Sequence, residues 1–248
     1  NAEQSLGSHL ANRNNLHHRF TSLQKALSLD EIPSRLECFD ISHTQGEATV
    51  ASCVVFDQNG PLKSDYRRFN IEGITGGDDY AAMSQALSRR YTRIKKGEGV
   101  LPDILFIDGG KGQLREAELI MEELQIEGVL LIGIAKGPER KAGLESLFVS
   151  GGPELNLAPD NPALHLIQHI RDESHRFAIT AHRNRRGKKR TASLLEGIDG
   201  VGPKRRRSLL RHFGGAAQVK SASIEELTKI DGISAILAEH IHAVLHNQ

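Results

Sequence analysis

The stretch Phe106-Ile-Asp-Gly-Gly-Lys-Gly112 decides the fold of this chain, because an aspartate there ends a wholly apolar run. Residues 104–107 are typical of a short strand that is buried on both faces. A second aspartate, Asp40, follows the strand-like run 36–39. An ionised carboxylate at the end of an apolar strand is costly unless it is paired or bound to a cation. We therefore expect the fold to bring Asp40 and Asp108 together.

The elements around these two runs are predicted in the order βββ-α-β-α-β-(β)-α. Three β-rich segments, with turn signals at residues 44–46 and 58–61, predict an antiparallel meander; the segments are 36–39, 49–56 and 64–71. The later elements are predicted as helices at 76–95, 112–124 and 162–182 and as strands at 104–107, 129–135 and 145–148. This order indicates an α/β fold with a ribonuclease-H-like mixed sheet and flanking helices. The first and fourth strands are neighbours in such a sheet, so Asp40 and Asp108 would meet at one edge.

A histidine completes this candidate site. His175 lies in Arg171-Asp-Glu-Ser-His-Arg176, on the long helix that returns across the same edge. Oxygen ligands with one imidazole suit Mg²⁺ or Mn²⁺, and Mn²⁺ tolerates nitrogen better. His175 is thus predicted as a metal ligand or general base, Asp172 as the residue that orients its ring, and Arg171 and Arg176 as phosphate contacts or braces for the carboxylates. The open alternative is a structural histidine beside aspartates that cap a turn and a helix.

The glycine-rich turn after Asp108 predicts a phosphate contact. Glycines let backbone N–H groups approach a phosphate, and Lys111 could neutralise charge that develops on the phosphoryl oxygens. The spacing of a Walker loop is absent. The alternative is a simple strand-to-helix turn with a solvated lysine.

The C-terminal region repeats a short motif. Gly197-Ile-Asp-Gly-Val-Gly202 and Lys229-Ile-Asp-Gly-Ile-Ser234 lie 32 positions apart, each between predicted helices. Such turns expose backbone N–H groups to a DNA phosphate, which predicts a small all-α domain with tandem helix-hairpin-helix motifs. The predicted phosphate-binding or DNA-binding residues are Gly200, Gly202, Lys204, Arg205, Arg206, Gly232 and Ser234. The second hairpin lacks a basic run and should bind more weakly. The alternative is a helical protein-interaction domain.

Composition supports this organisation. The formal net charge is only +1 and aromatic residues make up 4%, so binding of nucleic acid must come from local clusters rather than from a global field or an aromatic platform. The basic run 183–190 is predicted as an unpacked linker. The predicted divisions are a helical or linker segment at 1–32, a ribonuclease-H-like domain at 33–183, a linker at 184–192 and the hairpin domain at 193–248.

The sequence also bears on the cellular setting. We find no signal pattern and no apolar run long enough for a membrane span, and Cys38 and Cys53 lie in predicted strands as expected of buried thiols. We expect a cytoplasmic monomer without a membrane partner. The chain does not begin with Met, so we expect it to be a fragment of a longer protein.

Together these motifs resemble the C-terminal half of the UvrC family, the incision subunit of bacterial nucleotide excision repair. The resemblance runs from about residue 33 to 245, and its segments are 37–43, 76–80, 106–113, 171–178 and the two hairpins. It implies a metal-dependent DNA endonuclease that cuts 5′ of a lesion. Its catalytic set falls on Asp40, Asp108 and His175, and Asp79 is a further acidic position of the family.

The implied partners are double-stranded DNA with a bubble or a single/double-strand junction, and UvrB through an N-terminal half that this chain does not include. Two other interpretations stay open. The first is a non-catalytic DNA-binding scaffold. The second is another ribonuclease-H-like nuclease, such as a relative of endonuclease V, although the tandem hairpins argue against it.

Overall fold

A computed structural model describes residues 2–42, 49–75, 77–135 and 145–246, without the side chains of 2–12, 181–194 and 196. The turn predicted at residues 44–46 and the predicted helix start at Gly76 lie outside the described residues. The chain divides into two compact units, residues 1–180 and 181–248. The domain bounds derived from the sequence stay predictions.

The first unit contains a mixed sheet, and its order confirms the predicted ribonuclease-H-like fold. The described strands are β1 (Arg35–Ser42), β2 (Val50–Asp57), β3 (Gly60–Pro61), β4 (Arg67–Asn70), β5 (Ile104–Asp108), β6 (Leu130–Ala135), β7 (Ser146–Val149) and β8 (Glu154–Asn156). Strand β1 pairs antiparallel with β2 and parallel with β5, and β5 pairs parallel with β6. The strands follow the order β3-β2-β1-β5-β6-β7-β8, with β4 paired to β2.

Two details of the sheet differ from the prediction. The expected third strand, 64–71, begins instead with a 3₁₀ turn at Lys63–Asp65 and becomes the short strand β4. Asp65 is drawn into this turn because it accepts a hydrogen bond from Arg35 at 2.7 Å. Strand β8 was missed, since Glu-Leu-Asn holds a single apolar residue and shows no alternation.

Four helices belong wholly or partly to the first unit: α1 (Ala2–Ala26), α2 (Asp79–Lys95), α3 (Lys111–Glu123) and α4 (Pro162–Glu196). Helix α1 joins the core, where Phe20 and Leu23 are fully buried. Helix α4 is longer than the predicted 162–182, so its backbone continues through the basic segment 184–192 that was predicted as an unpacked linker. Lys and Arg are good helix formers, so a run of charge does not end a helix.

Strand β1 presents different chemistry to its two faces. Glu37 is fully buried and accepts hydrogen bonds from Arg90 and Tyr91 of α2, which fixes that helix to one face. Asp40 points to the opposite face, because side chains alternate along a strand. Cys38 and Cys53 are buried free thiols, as predicted, and burial raises the pKa of both.

The second unit is all-α, as predicted, with helices α5 (Pro203–Phe213), α6 (Ala216–Ser221), α7 (Ile224–Thr228) and α8 (Ala235–His246). Its own apolar core includes two buried residues from each hairpin motif, Ile198 with Val201 and Ile230 with Ile233, together with Leu209 of α5 and Ile241 of α8. Among the described residues, no helix is both long and apolar enough to cross a membrane.

Candidate active site

The structure brings the two strand-end aspartates and the predicted histidine into one cluster. Asp40, Asp108 and His175 each offer a potential ligand atom within 4.8 Å of the others. The parallel register explains the meeting of the carboxylates: Phe39 lies opposite Ile107, so the residue after each is at the same edge of the sheet. This convergence is what the strand order predicted.

His175 bridges the two carboxylates. Its Nε2 lies 2.8 Å from Oδ2 of Asp108, and its Nδ1 lies 3.3 Å from Oδ2 of Asp40. The aspartate side chains are almost buried, whereas 36% of the His175 side chain is exposed, so the cluster reaches solvent on the histidine side. The hydrogen bonds to Asp108 and then Asp40 raise the pKa of His175 to about 10. An imidazolium beside two carboxylates leaves one negative charge uncompensated.

Contacts on both sides of His175 hold α4 in place. The hydroxyls of Ser174 and Ser52 lie 3.1 Å apart, fully buried, and Ser52 is the β2 partner of Asp40 in the sheet. One residue earlier on α4, Glu173 accepts a hydrogen bond from Tyr66 at 3.0 Å. Two residues after His175, Phe177 lies under the guanidinium of Arg68, at 3.9 Å from the ring centroid.

The arginines predicted as phosphate contacts have carboxylate partners. Arg171 is buried and donates to Glu145 at 2.8 Å and to the exposed Asp172 at 3.2 Å. Asp172 is therefore engaged with Arg171, not with the ring of His175. Arg176 is exposed and donates two hydrogen bonds of 2.6 Å to Glu173. Glu145 was missed by the sequence analysis. An acidic residue at the start of a predicted strand was the available signal.

The glycine-rich turn is built for close packing. The N–H of Gly109 donates to the carbonyl of Ile107 at 2.9 Å, and that of Gly110 donates to the Gln113 side chain at 3.1 Å. Both N–H groups are thus used within the protein, whereas the sequence analysis expected them to approach a phosphate. A Cβ on Gly112 would meet the ring of Tyr80 at 2.5–2.9 Å. Lys111 is exposed at the start of α3, with its Nζ 4.9 Å from the Phe148 ring centroid.

The open alternatives for the acidic residues are partly answered. Gly110 caps α3, so Asp108 does not serve as its cap. Asp40 accepts a hydrogen bond from Ser42 at 3.1 Å in addition to its contact with His175. Asp79 is the first residue of α2, after the capping residue Asp78. Within the described residues it is not part of the three-residue cluster.

The hairpins form the turns that the repeat predicted. Gly200 and Gly232 have φ values of +84° and +83°, a region that favours glycine. Gly202 and Lys204 are exposed, while Arg206 is half-buried. Arg205 donates to the backbone carbonyls of both turn glycines. The hydroxyl of Ser234 accepts the N–H of Leu237 at 3.3 Å, which makes it a helix cap.

Comparison with known proteins fits this geometry. Residues 24–179 match the UvrC RNAse H endonuclease domain, and residues 192–247 match the SAM-like helix-hairpin-helix tandem. The chain belongs to the UvrC family. It is 63% identical to the UvrABC system protein C of Pseudomonas paraeruginosa and 62% identical to that of Pseudomonas syringae pv. tomato, over 100% of this chain and 41% of each relative.

Among solved structures, human ENDOV is similar over 56% of this chain and 62% of its own, with 16% sequence identity and a TM-score of 0.35. A Ciona intestinalis endonuclease V in complex with an inosine-containing DNA aligns over 42% of this chain, with 16% identity and a TM-score of 0.30.

We predict that Arg171→Met lowers the free energy of unfolding by about 3–5 kcal/mol, because it removes the buried guanidinium that donates to the buried carboxylate of Glu145. Arg176→Met is the matched control and should have a much smaller effect, because that arginine is largely exposed. Urea denaturation of both variants checks this. Equal, small effects would mean that Arg171 does not act as a structural cation.

Proposed function

We propose that this chain is a divalent-metal-dependent endodeoxyribonuclease that makes the incision 5′ of a lesion in nucleotide excision repair. The observation that carries the proposal is the convergence of Asp40, Asp108 and His175 at one sheet edge, in a chain that belongs to the UvrC family. The chain spans about two fifths of the length of the curated relatives it matches, so the activity of the whole protein is part of the proposal.

The donor set fits a hard divalent cation. Two carboxylate oxygens and one imidazole nitrogen lie within 4.8 Å of one another and carry net negative charge, which suits Mg²⁺ or Mn²⁺. Asp40 and Asp108 would hold the ion, and His175 would be its third ligand. When bound, such an ion lowers the pKa of a water and neutralises charge on a phosphoryl group.

The chain's own groups would support the hydrolysis in defined ways. The attacking water forms a bond to phosphorus opposite the 3′-oxygen of a phosphodiester, the bond to that oxygen breaks, and the oxygen takes a proton from solvent. Where His175 is not a ligand, a cation held by the two carboxylates would weaken the hydrogen bonds that keep the ring protonated, and the neutral, half-exposed ring could then accept the proton of the water. The contacts of Ser174 and Glu173 hold the helix that carries this ring. Lys111 would neutralise phosphoryl charge, since it is exposed and follows Asp108 by three residues.

The second unit would dock the substrate. The turns at Gly200 and Gly232, with the exposed Gly202 and Lys204, suit backbone phosphates of double-stranded DNA that has a bubble or a junction. We further propose that UvrB binds the longer protein through the N-terminal half found in the relatives, and that the protein acts as a monomer in the bacterial cytoplasm.

One observation favours the competing proposal of a non-catalytic scaffold. The imidazolium of His175 already bridges both carboxylates, which would be a sufficient structural use of the three residues. Activity and ion binding distinguish the two proposals.

We predict that the chain nicks supercoiled plasmid in the presence of Mn²⁺ or Mg²⁺ and that Asp108→Asn lowers the rate by at least about 100-fold, since the variant removes one carboxylate that would hold the ion. DNA occupancy should be matched between the proteins by a binding assay. A variant that nicks at the wild-type rate would exclude Asp108 from the chemistry. If neither protein nicks, pre-incised DNA loaded with UvrB tests whether the substrate must be delivered.

We predict a single class of Mn²⁺ site that Asp40→Asn weakens by at least about tenfold, because the remaining donors cannot balance the charge of the ion. Asp172→Asn is the matched control: it removes an exposed carboxylate one turn from His175 and should leave the affinity unchanged. Isothermal titration calorimetry measures both. Equal loss in the two variants would favour the scaffold.

We predict that Lys204→Gln weakens DNA binding and lowers the slope of log K against log salt by about 0.9, the value for one released counterion. Lys220→Gln on α6, which is equally exposed but lies away from the turns, should keep both values. Fluorescence anisotropy at several salt concentrations measures the slopes. An identical response of the two variants would argue against docking by the first hairpin.

A further inference from the structure

One arginine ties the two hairpin turns together. The Nε of Arg205 donates to the carbonyl oxygen of Gly232 at 2.7 Å, and its Nη1 donates to the carbonyl oxygen of Gly200 at 2.8 Å. These are the two glycines with left-handed φ, one in each turn of the repeat. A single guanidinium therefore spans two turns that are 32 positions apart in the sequence.

The contact is one half of a reciprocal pair. Leu237 occupies in the second motif the position that Arg205 occupies in the first. A Cβ on Gly200 would lie 3.0 Å from Cδ1 of Leu237. Leu237 of α8 therefore reaches the turn glycine of the first motif, as Arg205 of α5 reaches that of the second. The two motifs thus pack as a pseudo-symmetric pair, in which Arg205 supplies the polar contact and Leu237 the apolar one.

This geometry uses two of the five N–H donors of the exposed Arg205 guanidinium and fixes its orientation. The fork of Arg matches two fixed acceptors, and both acceptors here are backbone carbonyls within the protein. Arg205 also lines a groove of about 340 Å³ between the turns, together with Gly202, Lys204, Ser208, Asp231 and Gly232. Its bonds orient the groove wall and leave the exposed Gly202 and Lys204 to face a ligand.

We propose that Arg205 is a positioning residue that fixes the spacing of the two hairpin turns, so that they bind the phosphate backbone of DNA as one rigid unit. This rests on the proposed DNA docking by the second unit and replaces the predicted role of Arg205 as a phosphate ligand. The second hairpin depends on it most. That hairpin has no basic run of its own, and its Ser234 hydroxyl already caps α8.

The test uses the full chain with Arg205→Gln, Arg205→Lys and the control Arg207→Gln. Arg207 is an exposed arginine two residues further along α5, so the control removes the same charge. The first readout is hydrogen exchange of a peptide spanning 229–237, followed by mass spectrometry without DNA. The second readout is the affinity for a 30-base-pair duplex with a central bubble, measured at several salt concentrations.

We expect both Arg205 variants to speed exchange in 229–237 by at least about fivefold, because the carbonyl of Gly232 loses its partner. Both should lower DNA affinity by about tenfold. Arg205→Lys should do so with an unchanged salt slope, since its charge is kept while a compact ammonium cannot reproduce the fork. Arg207→Gln should leave the exchange unchanged and lower the slope by about 0.9.

The proposal would be overturned by unchanged exchange in Arg205→Gln, or by wild-type affinity in Arg205→Lys with weakened binding in Arg205→Gln, which would mark a phosphate ligand. The exchange readout is independent of DNA. A third outcome is wild-type DNA binding by Lys204→Gln and by all Arg205 variants, together with faster exchange in 229–237. In that case the proposed DNA docking is wrong, and Arg205 holds the two turns together without a role in DNA binding. That outcome also overturns the positioning role in DNA binding.

Discussion

The parallel pairing of β1 with β5 forces two carboxylates to the same edge of a buried sheet, and the structure around that edge answers this constraint. Asp40 and Asp108 directly follow Phe39 and Ile107, the last residues paired between the two strands, and their side chains are almost buried. Two like charges in such surroundings require a cation between them. His175 provides one positive charge in this arrangement, and the remaining negative charge supports the proposed site for a divalent ion.

The need for a cation beside the two carboxylates also constrains the position of α4, the helix that carries His175. Ser174 contacts Ser52 beside Asp40, Glu173 contacts Tyr66, and Arg171 contacts Glu145, so α4 is held by polar contacts to three separate parts of the first unit. Several of these groups are buried, and each would be costly to leave without a partner. The glycine-rich turn follows the same rule, because the N–H groups of Gly109 and Gly110 also have hydrogen-bond acceptors within the protein.

The strands that carry the two aspartates and the two hairpin turns were predictable because they depend on local sequence patterns. Apolar runs that end in Asp40 and Asp108 located two strands, their order placed them side by side, and the repeated turn located both hairpins. The predicted roles of Arg171, Arg205 and Ser234 differ from the contacts in the structure for a shared reason. Charge or a hydroxyl identifies what a side chain can bind, whereas the partner it finds depends on packing. Glu145 and Arg171 lie 26 positions apart, and no spacing rule relates them.

The order of amino acids was enough to predict the ribonuclease-H-like order, the meeting of Asp40, Asp108 and His175, and the all-α hairpin unit, because strand periodicity, turn residues and connection rules act locally or through a small set of topologies. Which polar groups face outward and which are used internally depends on contacts that form in the folded chain. Arg205 shows this most clearly: its neighbours in sequence suggest a DNA contact, yet its guanidinium spans the carbonyls of two turns. Which partner a side chain finds depends on distances between residues in the folded chain, and the order of residues does not give those distances.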